Sequence, residues 1–460
     1  MFCYFDPKLK KFEFEIDDYK YIENEKYIFL FDGELLGELC SIDLLDTVEV
    51  FNLHHMFLGP FLLLVYKKKT YELRIYQHFL GNGENLYFSK LGDAVAISSR
   101  LRLLKNKTKM KFKLNTPMLP HFFYNGFLPG THTLVQGVRK LPPGYIIDIN
   151  TDGIHFTKYD YLDMLNKESP ACLEDKYKYA LENSIKTILA IQKEEIALAL
   201  SGGYDSNCIL YAIKKAKPEQ RVNVFSVGGV NGIDETGIAC EIASYYKNTK
   251  YKTSKVTPKT LEHIDEIVEI LEGSVYERGI FLQYELAKLL SENQVKSFVC
   301  GECADQVFHE KTYMNIPENT FLYSYSDTPR QMASYVVLKK NRMMMNAFGI
   351  NTLYPFITPE MIDIGYWTRK INGSTKEYHK GICNQMFPDK IKRLISKQGG
   401  STDLSALFNS DVDILENIKS CKYYSEDFRI TEKYPRDEAL RDYYLSLLYI
   451  ELFEKQFCDE

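Results

Sequence analysis

The sequence lacks the features that would direct it to a membrane or to a nucleic acid. Its longest apolar run, Met56–Tyr66, contains Gly59 and Pro60 and is far shorter than the roughly 20 residues that a membrane-spanning helix needs. The formal net charge of −5 gives no general attraction to phosphate backbones or anionic lipids. The first residues also lack the basic-then-apolar order of a signal peptide. We therefore expect a cytoplasmic protein with neither nucleic-acid nor membrane partners.

A cysteine framework is missing as well. The 10 cysteines are scattered over 460 residues, and Cys300 and Cys303 alone form a local Cys-x-x-Cys spacing. A zinc site of this kind needs a second pair at a matching distance, and none is present. We therefore expect reduced thiols, many of them small core residues.

Two patterns divide the chain near residue 165. Residues 1–165 contain short apolar or alternating runs separated by Gly, Asn and Asp, which predicts a β-rich domain. In residues 166–460, strand-like runs alternate with helical periodicity. This alternation predicts βαβ units around a parallel sheet. The tail from about residue 328 has mostly helical periodicity.

A small-residue loop, Ser-Gly-Gly-Tyr-Asp-Ser at residues 201–206, follows the strand candidate Ile196–Leu200 and precedes a helical stretch. Unpaired N–H groups and the positive dipole end at a helix start bind anions, and Gly202 and Gly203 let a phosphate approach closely. No lysine follows, which excludes the Gly-Lys-Ser type of phosphate loop. Asp205 is then a candidate Mg²⁺ ligand beside the phosphate. The alternative is an ordinary strand–turn–helix in which Asp205 caps the helix.

Two further strand candidates end in small residues and acids. One ends at Val227 and Gly228, and the other at Gly301 and Glu302, with Asp305 shortly after. Ligands of a doubly wound sheet lie at the carboxyl ends of its strands, so these residues predict one crevice for a metal–nucleotide complex. The acids that follow the second strand, Asp234 and Glu235, are expected in a solvated loop, and contact with the ribose or the metal is the alternative.

Together, these motifs resemble those of the asparagine synthetase family. The loop is similar to the family's pyrophosphate-binding Ser-Gly-Gly-x-Asp-Ser, and "CGECADQVF" is similar to its Ser-Gly-Glu-Gly-x-Asp-Glu-x-Phe segment. Residues 346–364 resemble Gly-x-x-x-Arg-x-Pro-Phe-Leu-Asp, and residues 395–403 resemble the loop with the catalytic lysine. Earlier in the chain, "FDGEL" resembles Tyr-Asn-Gly-Glu-Ile, and "RKLPPGY" lies in a segment similar to the family's Lys-Leu-Pro-Pro-Gly region. The match spans nearly the whole chain in the family's order.

The resemblance implies a fold, cofactors and site residues. Residues 1–165 would form an α+β domain built on an Ntn-type β-sandwich, and residues 166–460 an α/β PP-loop synthetase domain with a parallel sheet flanked by helices and a helical C-terminal part. ATP and Mg²⁺ would be the cofactors, with Asp205 and Asp305 as metal ligands. Lys397 would stabilise the transition states, and Glu302 would orient the substrate amine or the lysine, or else cap a helix. The nucleotide-binding residues would be Leu200, Ser201, Gly202, Gly203, Asp205, Ser206, Val227, Gly228, Cys300 and Gly301.

The first domain departs from the glutamine-using members of the family. Their mature chains begin with a catalytic cysteine, whereas this sequence begins Met1-Phe2-Cys3, and removal of Met1 would expose Phe2. Asp32 stands where the family has the asparagine of its oxyanion hole, and an anion there would repel a developing oxyanion. We therefore expect a degenerate, non-catalytic glutaminase domain in residues 1–165.

An enzyme of this family without a glutaminase would use an amine from another source. The resemblance then points to β-lactam synthetase-like enzymes and lasso peptide cyclases, which adenylate a carboxylate and close an amide with an amine of the same molecule. This reading predicts a ligase of natural product biosynthesis acting on a peptide or small carboxylate. Two alternatives stay open: an ammonia-dependent asparagine synthetase-like amidotransferase, and a catalytically inactive nucleotide-binding regulatory protein. The need for a leader-peptide-binding or protease partner also stays open.

Overall fold

Short strands with alternating exposure form the first part of the chain, as the sequence predicts. The structure, a computed structural model, describes residues 1–17, 19–36, 50–159, 172–229, 234–308, 332–372, 376–395, 414–424 and 436–459. We call residues 1–159 the antiparallel half. Its elements are β1 (Phe2–Asp6), β2 (Lys11–Glu15), β3 (Lys20–Glu23), β4 (Tyr27–Leu35), α1 (Val50–Met56), β5 (Phe57–Lys67), β6 (Glu72–Gln77), β7 (Tyr87–Leu91), β8 (Ala94–Ser98), α2 (Leu101–Thr108), α3 (Leu119–Asn125), β9 (Arg139–Lys140), β10 (Tyr145–Asn150) and β11 (Gly153–Lys158).

Two antiparallel sheets stack face to face in this half. One has the order β2-β1-β8-β7-β9, and the other has the order β11-β10-β6-β5-β4-β3. Cys3 and Phe5 of β1 share a buried core with Leu64 of β5 and Ile75 of β6, as expected for a sandwich whose inner faces alternate with outer faces. The Ntn-type assignment of this sandwich remains a prediction.

The longest apolar run of the sequence is the strand β5. Ten of its 11 residues are buried, because both faces of the strand are covered. One face contributes Leu62 and Leu64 to the core between the sheets, and the other contributes Phe61 and Leu63 to a second cluster with Phe29. The sequence of a strand that is covered on both faces is continuously hydrophobic, whereas a strand with one exposed face alternates hydrophobic and polar residues.

Alternating strands and helices follow in residues 172–459, which we call the parallel-sheet half. Its elements are α4 (Leu173–Ile191), β12 (Glu195–Ala199), α5 (Tyr204–Ala216), β13 (Arg221–Gly228), α6 (Thr236–Tyr245), β14 (Thr249–Lys255), α7 (Pro258–Leu261), α8 (Ile264–Leu271), α9 (Gly279–Glu292), β15 (Ser297–Val299), α10 (Ala304–Phe308), α11 (Leu338–Ala347), β16 (Asn351–Leu353), α12 (Pro359–Asn372), α13 (Lys376–Met386), α14 (Asp389–Leu394), α15 (Ile414–Ser420) and α16 (Arg436–Phe457).

The parallel sheet has the order β14-β13-β12-β15-β16. Every neighbouring pair in it is parallel, which confirms the predicted parallel sheet with helical surroundings. The chain runs outward from β12 through β13 to β14 and then returns to the other side of β12 with β15. The strand order therefore reverses between β12 and β15. A reversal of this kind opens a crevice at the carboxyl ends of the two strands, where ligands of open α/β sheets bind.

The two halves share buried contacts. The Phe122 ring stacks on Tyr449 of α16, with centroids 5.9 Å apart, inside a core cluster that draws residues from both halves. The carboxylate of Glu272, just after α8, accepts hydrogen bonds from the N–H of Leu101 at 3.0 and 3.1 Å. An acidic residue of one half thus caps the first turn of α2 in the other half. The predicted domain boundary at residues 165/166 lies outside the described residues.

Candidate functional site

The loop between β12 and α5 is held by its own serines. The N–H of Ser201 donates to Ser206 Oγ at 3.1 Å, and the N–H of Gly203 donates to Ser201 Oγ at 3.1 Å. Asn207 Nδ2 donates to the carbonyls of Ser201 and Gly203, at 3.0 and 2.6 Å. These bonds fix the loop at the helix start, so the predicted loop residues form one preorganised turn.

Glu235 also contacts this loop, and the prediction of a solvated position for it is wrong. The N–H of Gly202 donates to Glu235 Oε2 at 2.9 Å, and a Cβ on Gly202 would lie 3.3 Å from the Glu235 carboxyl carbon. The contact forms because Glu235 directly precedes α6, which follows the neighbouring strand β13. Asp234 does lie at the surface, where it pairs with Lys255 at 2.7 Å. An anionic oxygen thus already binds one N–H of the loop, as expected of an anion-binding turn.

The ends of the neighbouring strands lie against the loop. A Cβ on Gly301 would lie 3.2 Å from both Asp205 Cβ and the backbone nitrogen of Ser206. Glycine is therefore required here by close backbone approach, and not by a positive φ. Leu200 and Cys300 are buried at the ends of β12 and β15, with 3% and 2% exposure. The structure thus brings the predicted residues of both strands to one side of the sheet.

The third predicted strand end lies beside them. Val227 is half-buried and Gly228 is buried at the end of β13, and the N–H of Leu200 donates to the Phe225 carbonyl of the same strand at 2.9 Å. The strand β15 has three residues and ends at Val299, before the predicted end at Gly301 and Glu302. It stops because Cys300 and the residues after it turn toward the loop and α10.

The two predicted metal ligands occupy equivalent positions. Asp205 lies in the first turn of α5 and Asp305 in the first turn of α10, and these helices follow the adjacent strands β12 and β15. Carboxylate oxygens are the ligands that Mg²⁺ prefers, and Mg²⁺ usually keeps waters and substrate phosphates as its other ligands. Within the described ranges, no group of three or more His, Cys, Asp or Glu residues is arranged to hold a metal by itself. Carboxylates at the starts of two such helices are ligands of the kind that Mg²⁺ takes together with the phosphates of a nucleotide.

A histidine that the sequence analysis did not single out lies beside these aspartates. His379 on α13 is 1% exposed, and its Nδ1 is 3.6 Å from Asp205 Oδ1. Burial opposes its charged form, but Cys383, Asp205 and Asp305 outweigh burial and raise the pKa of His379 to about 9. In sequence, His379 lies in an ordinary helical stretch 174 residues after Asp205, and no local motif marks it.

Glu302 is held by a chain of polar side chains. Gln283 Nε2 donates to Glu302 Oε1 at 3.0 Å, and Asn341 Nδ2 donates to Gln283 Oε1 at 3.1 Å. Tyr354 Oη donates in turn to Asn341 Oδ1 at 2.6 Å. Burial raises the pKa of Glu302, although the nearby cation Lys340 opposes that rise. A fixed carboxyl group with a raised pKa is a candidate for proton transfer near neutral pH.

Lys397 and the loop around it lie outside the described residues. Two lysines on described helices do lie near the site. Lys340 of α11 pairs with Glu277 at 2.6 Å, and Lys380 of α13 lies over the Tyr204 ring at 5.9 Å from its centroid. Lys340 is the cation that opposes the rise in the pKa of Glu302, and neither lysine was a sequence candidate.

The two residues at the positions that correspond to a glutaminase active site, Cys3 and Asp32, are buried or paired within the protein. Cys3 is fully buried, and burial raises the pKa of its thiol to about 12, so the reactive thiolate is strongly disfavoured. Asp32 forms an ion pair with Arg342 of α11, with Oδ1 and Nη2 2.7 Å apart, and accepts a hydrogen bond from Asn82 Nδ2 at 3.3 Å. A residue of the parallel-sheet half thus occupies the space beside Asp32.

Among the described residues, no helix combines the length and the apolar character that crossing a bilayer requires.

Comparison with known proteins gives matches in both halves of the chain. The family model for asparagine synthase matches residues 176–321, and the model for a glutamine amidotransferase domain matches residues 51–160. A curated relative, "Putative asparagine synthetase [glutamine-hydrolyzing] 2" of Methanocaldococcus jannaschii, is 22% identical over 332 residues. That alignment covers 70% of this chain and 61% of the relative, so the chain spans about three fifths of the relative's length.

Two solved structures are remotely similar to the chain. The U34-tRNA thiolase NcsA from Methanococcus maripaludis with its [4Fe-4S] cluster is 15% identical, with a TM-score of 0.26, over 50% of this chain and 82% of that one. The glutamine phosphoribosylpyrophosphate amidotransferase from B. subtilis, complexed with ADP and GMP, is 10% identical, with a TM-score of 0.21, over 77% and 76%. At these scores, neither structure adds to the description of the site.

Proposed function

We propose that the chain is an AMP-forming amide-bond synthetase of the asparagine synthetase-like family, whose members are ATP-dependent ligases. It adenylates a carboxylate and couples the acyl group to an amine. The observation that carries the proposal is the turn at residues 201–206, set where the strand order reverses and packed against Gly301.

The first half-reaction joins the carboxylate to the α-phosphorus of ATP and releases pyrophosphate. The first-turn N–H groups of α5, from Tyr204 to Ser206, hold the pyrophosphate. Asp205 and Asp305 hold Mg²⁺, which neutralises phosphate charge when it is bound. Leu200, Val227, Cys300 and Gly301 line the adenosine side of the crevice, and Lys397 stabilises the charge on phosphorus.

The second half-reaction joins the amine nitrogen to the acyl carbon and releases AMP. The attacking amine loses a proton, and Glu302 is the group that accepts it. Its support through Gln283 keeps one carboxyl oxygen fixed, which leaves the other oxygen for the amine. Residues that are rigidly held in this way perform proton transfer best, because the geometry is set before the reaction begins.

The amine comes from the substrate and not from glutamine. Two observations support this part of the proposal: the Cys3 thiol is buried with a raised pKa, and the Asp32 carboxylate pairs with Arg342. The first domain is then a degenerate glutaminase, and the enzyme is a cyclase similar to β-lactam synthetases or lasso peptide cyclases. Its substrate is a peptide or a small acid that carries both groups, and a leader-peptide-binding or protease partner delivers it if it is a peptide.

ATP–pyrophosphate exchange tests the proposal. The exchange is measured with Mg²⁺ over a panel of carboxylates that includes Asp- and Glu-containing peptides. The wild type is compared with Lys397→Ala, Asp205→Ala and the control Asp152→Ala, whose carboxylate is exposed in the β10–β11 turn. We expect exchange with one class of peptide, its loss in the first two variants, and wild-type exchange in the control.

The other outcomes separate the alternatives. Exchange with free aspartate and an amide product that requires ammonium would favour the ammonia-dependent amidotransferase. ATP binding without exchange for any acid would favour a regulatory protein. Absence of ATP binding would overturn the enzyme proposal.

A further inference from the structure

His379 reaches from α13 to the start of α5. Its Nδ1 is 3.6 Å from Asp205 Oδ1, and its Nε2 is 3.0 Å from Tyr177 Oη and 3.5 Å from Cys383 Sγ. The Phe308 ring stacks on the imidazole, with centroids 4.5 Å apart and planes inclined by 13°. The ring therefore has a stacking partner on its face, hydrogen-bond partners at Nε2 and a carboxylate beside Nδ1.

The same imidazole contacts both helices that follow the central strands. Asp205 lies in the first turn of α5, and Phe308, whose ring stacks on the imidazole, lies three residues after Asp305 on α10. His379 is therefore wedged between the first turns of α5 and α10. These are the two helices that follow β12 and β15, on either side of the crevice.

We propose that His379 is a positioning residue that holds Asp205 in the orientation needed for a metal–nucleotide complex. The inference rests on the proposed function, because it takes Asp205 as a Mg²⁺ ligand. It goes further in assigning the orientation of that ligand to a residue of α13, outside every sequence motif of the site.

The physical reason lies in the geometry of a carboxylate ligand. The Nδ1–Oδ1 distance of 3.6 Å is longer than a direct hydrogen bond, and an ionised carboxylate offers only acceptors, so the imidazole presents its Nδ1 side to Asp205 as the polar neighbour of Oδ1. The contact restrains Oδ1 of Asp205 on the His379 side and so limits the orientations that the carboxylate can adopt. Groups that orient metal ligands in this way typically change metal affinity about 10- to 100-fold when removed. Tyr177 contributes by fixing the opposite nitrogen of the ring.

The test measures how strongly Mg²⁺ promotes ATP binding. The dissociation constant of ATP is determined by calorimetry in EDTA and in saturating Mg²⁺, and the ratio of the two is the metal-dependent gain. We expect His379→Leu, which keeps an apolar side chain of similar size against Phe308, to lower that ratio about tenfold while the constant in EDTA changes little. His379→Asn retains an N–H near the position of Nδ1 and should recover most of the ratio.

Three further variants make the result specific. His379→Leu should have no additional effect in the background of Asp205→Asn, because residues that act through one another are not additive. Tyr177→Phe removes only a hydroxyl group and should lower the ratio less than His379→Leu does. It provides the test of the inference if His379→Leu does not fold. His78→Leu removes another buried histidine, at 1% exposure in the antiparallel half, and should leave the ratio at the wild-type value.

The outcomes distinguish this inference from the proposed function. If Mg²⁺ raises ATP affinity in the wild type and Asp205→Asn abolishes the gain, the metal site stands. An unchanged or larger ratio in both His379→Leu and Tyr177→Phe would then overturn the role of His379. If the wild type binds ATP without any gain from Mg²⁺, the metal site fails and the inference fails with it.

Discussion

Replacement of Gly301 by alanine should weaken ATP binding without unfolding the protein. A Cβ at this position would lie 3.2 Å from the Ser206 nitrogen, whereas ordinary contact begins at 3.4 Å. The loop must therefore move away from Gly301 by at least the difference, 0.2 Å. The Ser206 nitrogen is a backbone atom, so a side-chain rotation cannot relieve the contact. Charge-assisted hydrogen bonds contribute about 1.5–3 kcal/mol each. Distortion of the turn that makes several of them should cost about 1.4 kcal/mol, or tenfold in affinity.

Gly237 provides the matched control, because a Cβ there meets no atom within 4 Å and the residue lies in helix α6. Gly237→Ala should preserve ATP affinity and raise stability by up to about 1 kcal/mol through helix propensity. Calorimetric titration with ATP measures the affinities, and thermal unfolding checks that both variants fold. Wild-type affinity in a folded Gly301→Ala variant would refute the assignment of this turn to the nucleotide.

Two further predictions concern the contacts between the halves. Asp32→Asn restores the amide of the glutaminase-like motif but leaves the charge of Arg342 buried without its partner, so the variant should lose about 3 kcal/mol of unfolding free energy. The variant should release no ammonia from glutamine, and glutaminase activity would contradict the assignment of a degenerate glutaminase. Burial raises the pKa of Glu272 from 4.5 to about 7, although Arg100 and the N–H of Leu101 oppose the rise, so the folded state binds the proton more tightly than the unfolded state does. The stability from this group is complete below pH 4.5 and is lost as the pH rises to about 7. Glu272→Gln should therefore gain thermal stability relative to the wild type between pH 5 and pH 8, and parallel pH profiles would refute the shift.

Local patterns were sufficient to predict the elements that carry the site. The strand before Ser201, the helix after it and the parallel character of the sheet follow from periodicity and small residues over short stretches. The strand β5 shows the same rule, because its continuous apolar run directly reports burial on both faces. These properties depend on residues that are close together in the sequence, so one sequence is enough to predict them.

Contacts between distant segments could not be predicted in this way. Asp32 and Arg342 are 310 residues apart, and the sequence gives no sign that one lies against the other. The position of His379 depends on how α13 crosses α5, and its residues form an unremarkable helical stretch. Glu235 was misassigned for the same reason, since the contact with Gly202 arises from the pairing of β12 with β13.

The capping of the antiparallel half by later residues has a consequence for folding during synthesis. Asp459 accepts a hydrogen bond from the N–H of Phe112 at 2.6 Å, across 347 positions, and Glu272 caps α2 from 171 positions downstream. When residues 1–159 leave the ribosome, these partners are still untranslated, and Asp32 has not met Arg342. At about 5–20 residues per second, the nascent antiparallel half waits on the order of tens of seconds for its last contacts. A translation-arrested chain should accordingly remain protease-sensitive in this half long after its own strands have been made.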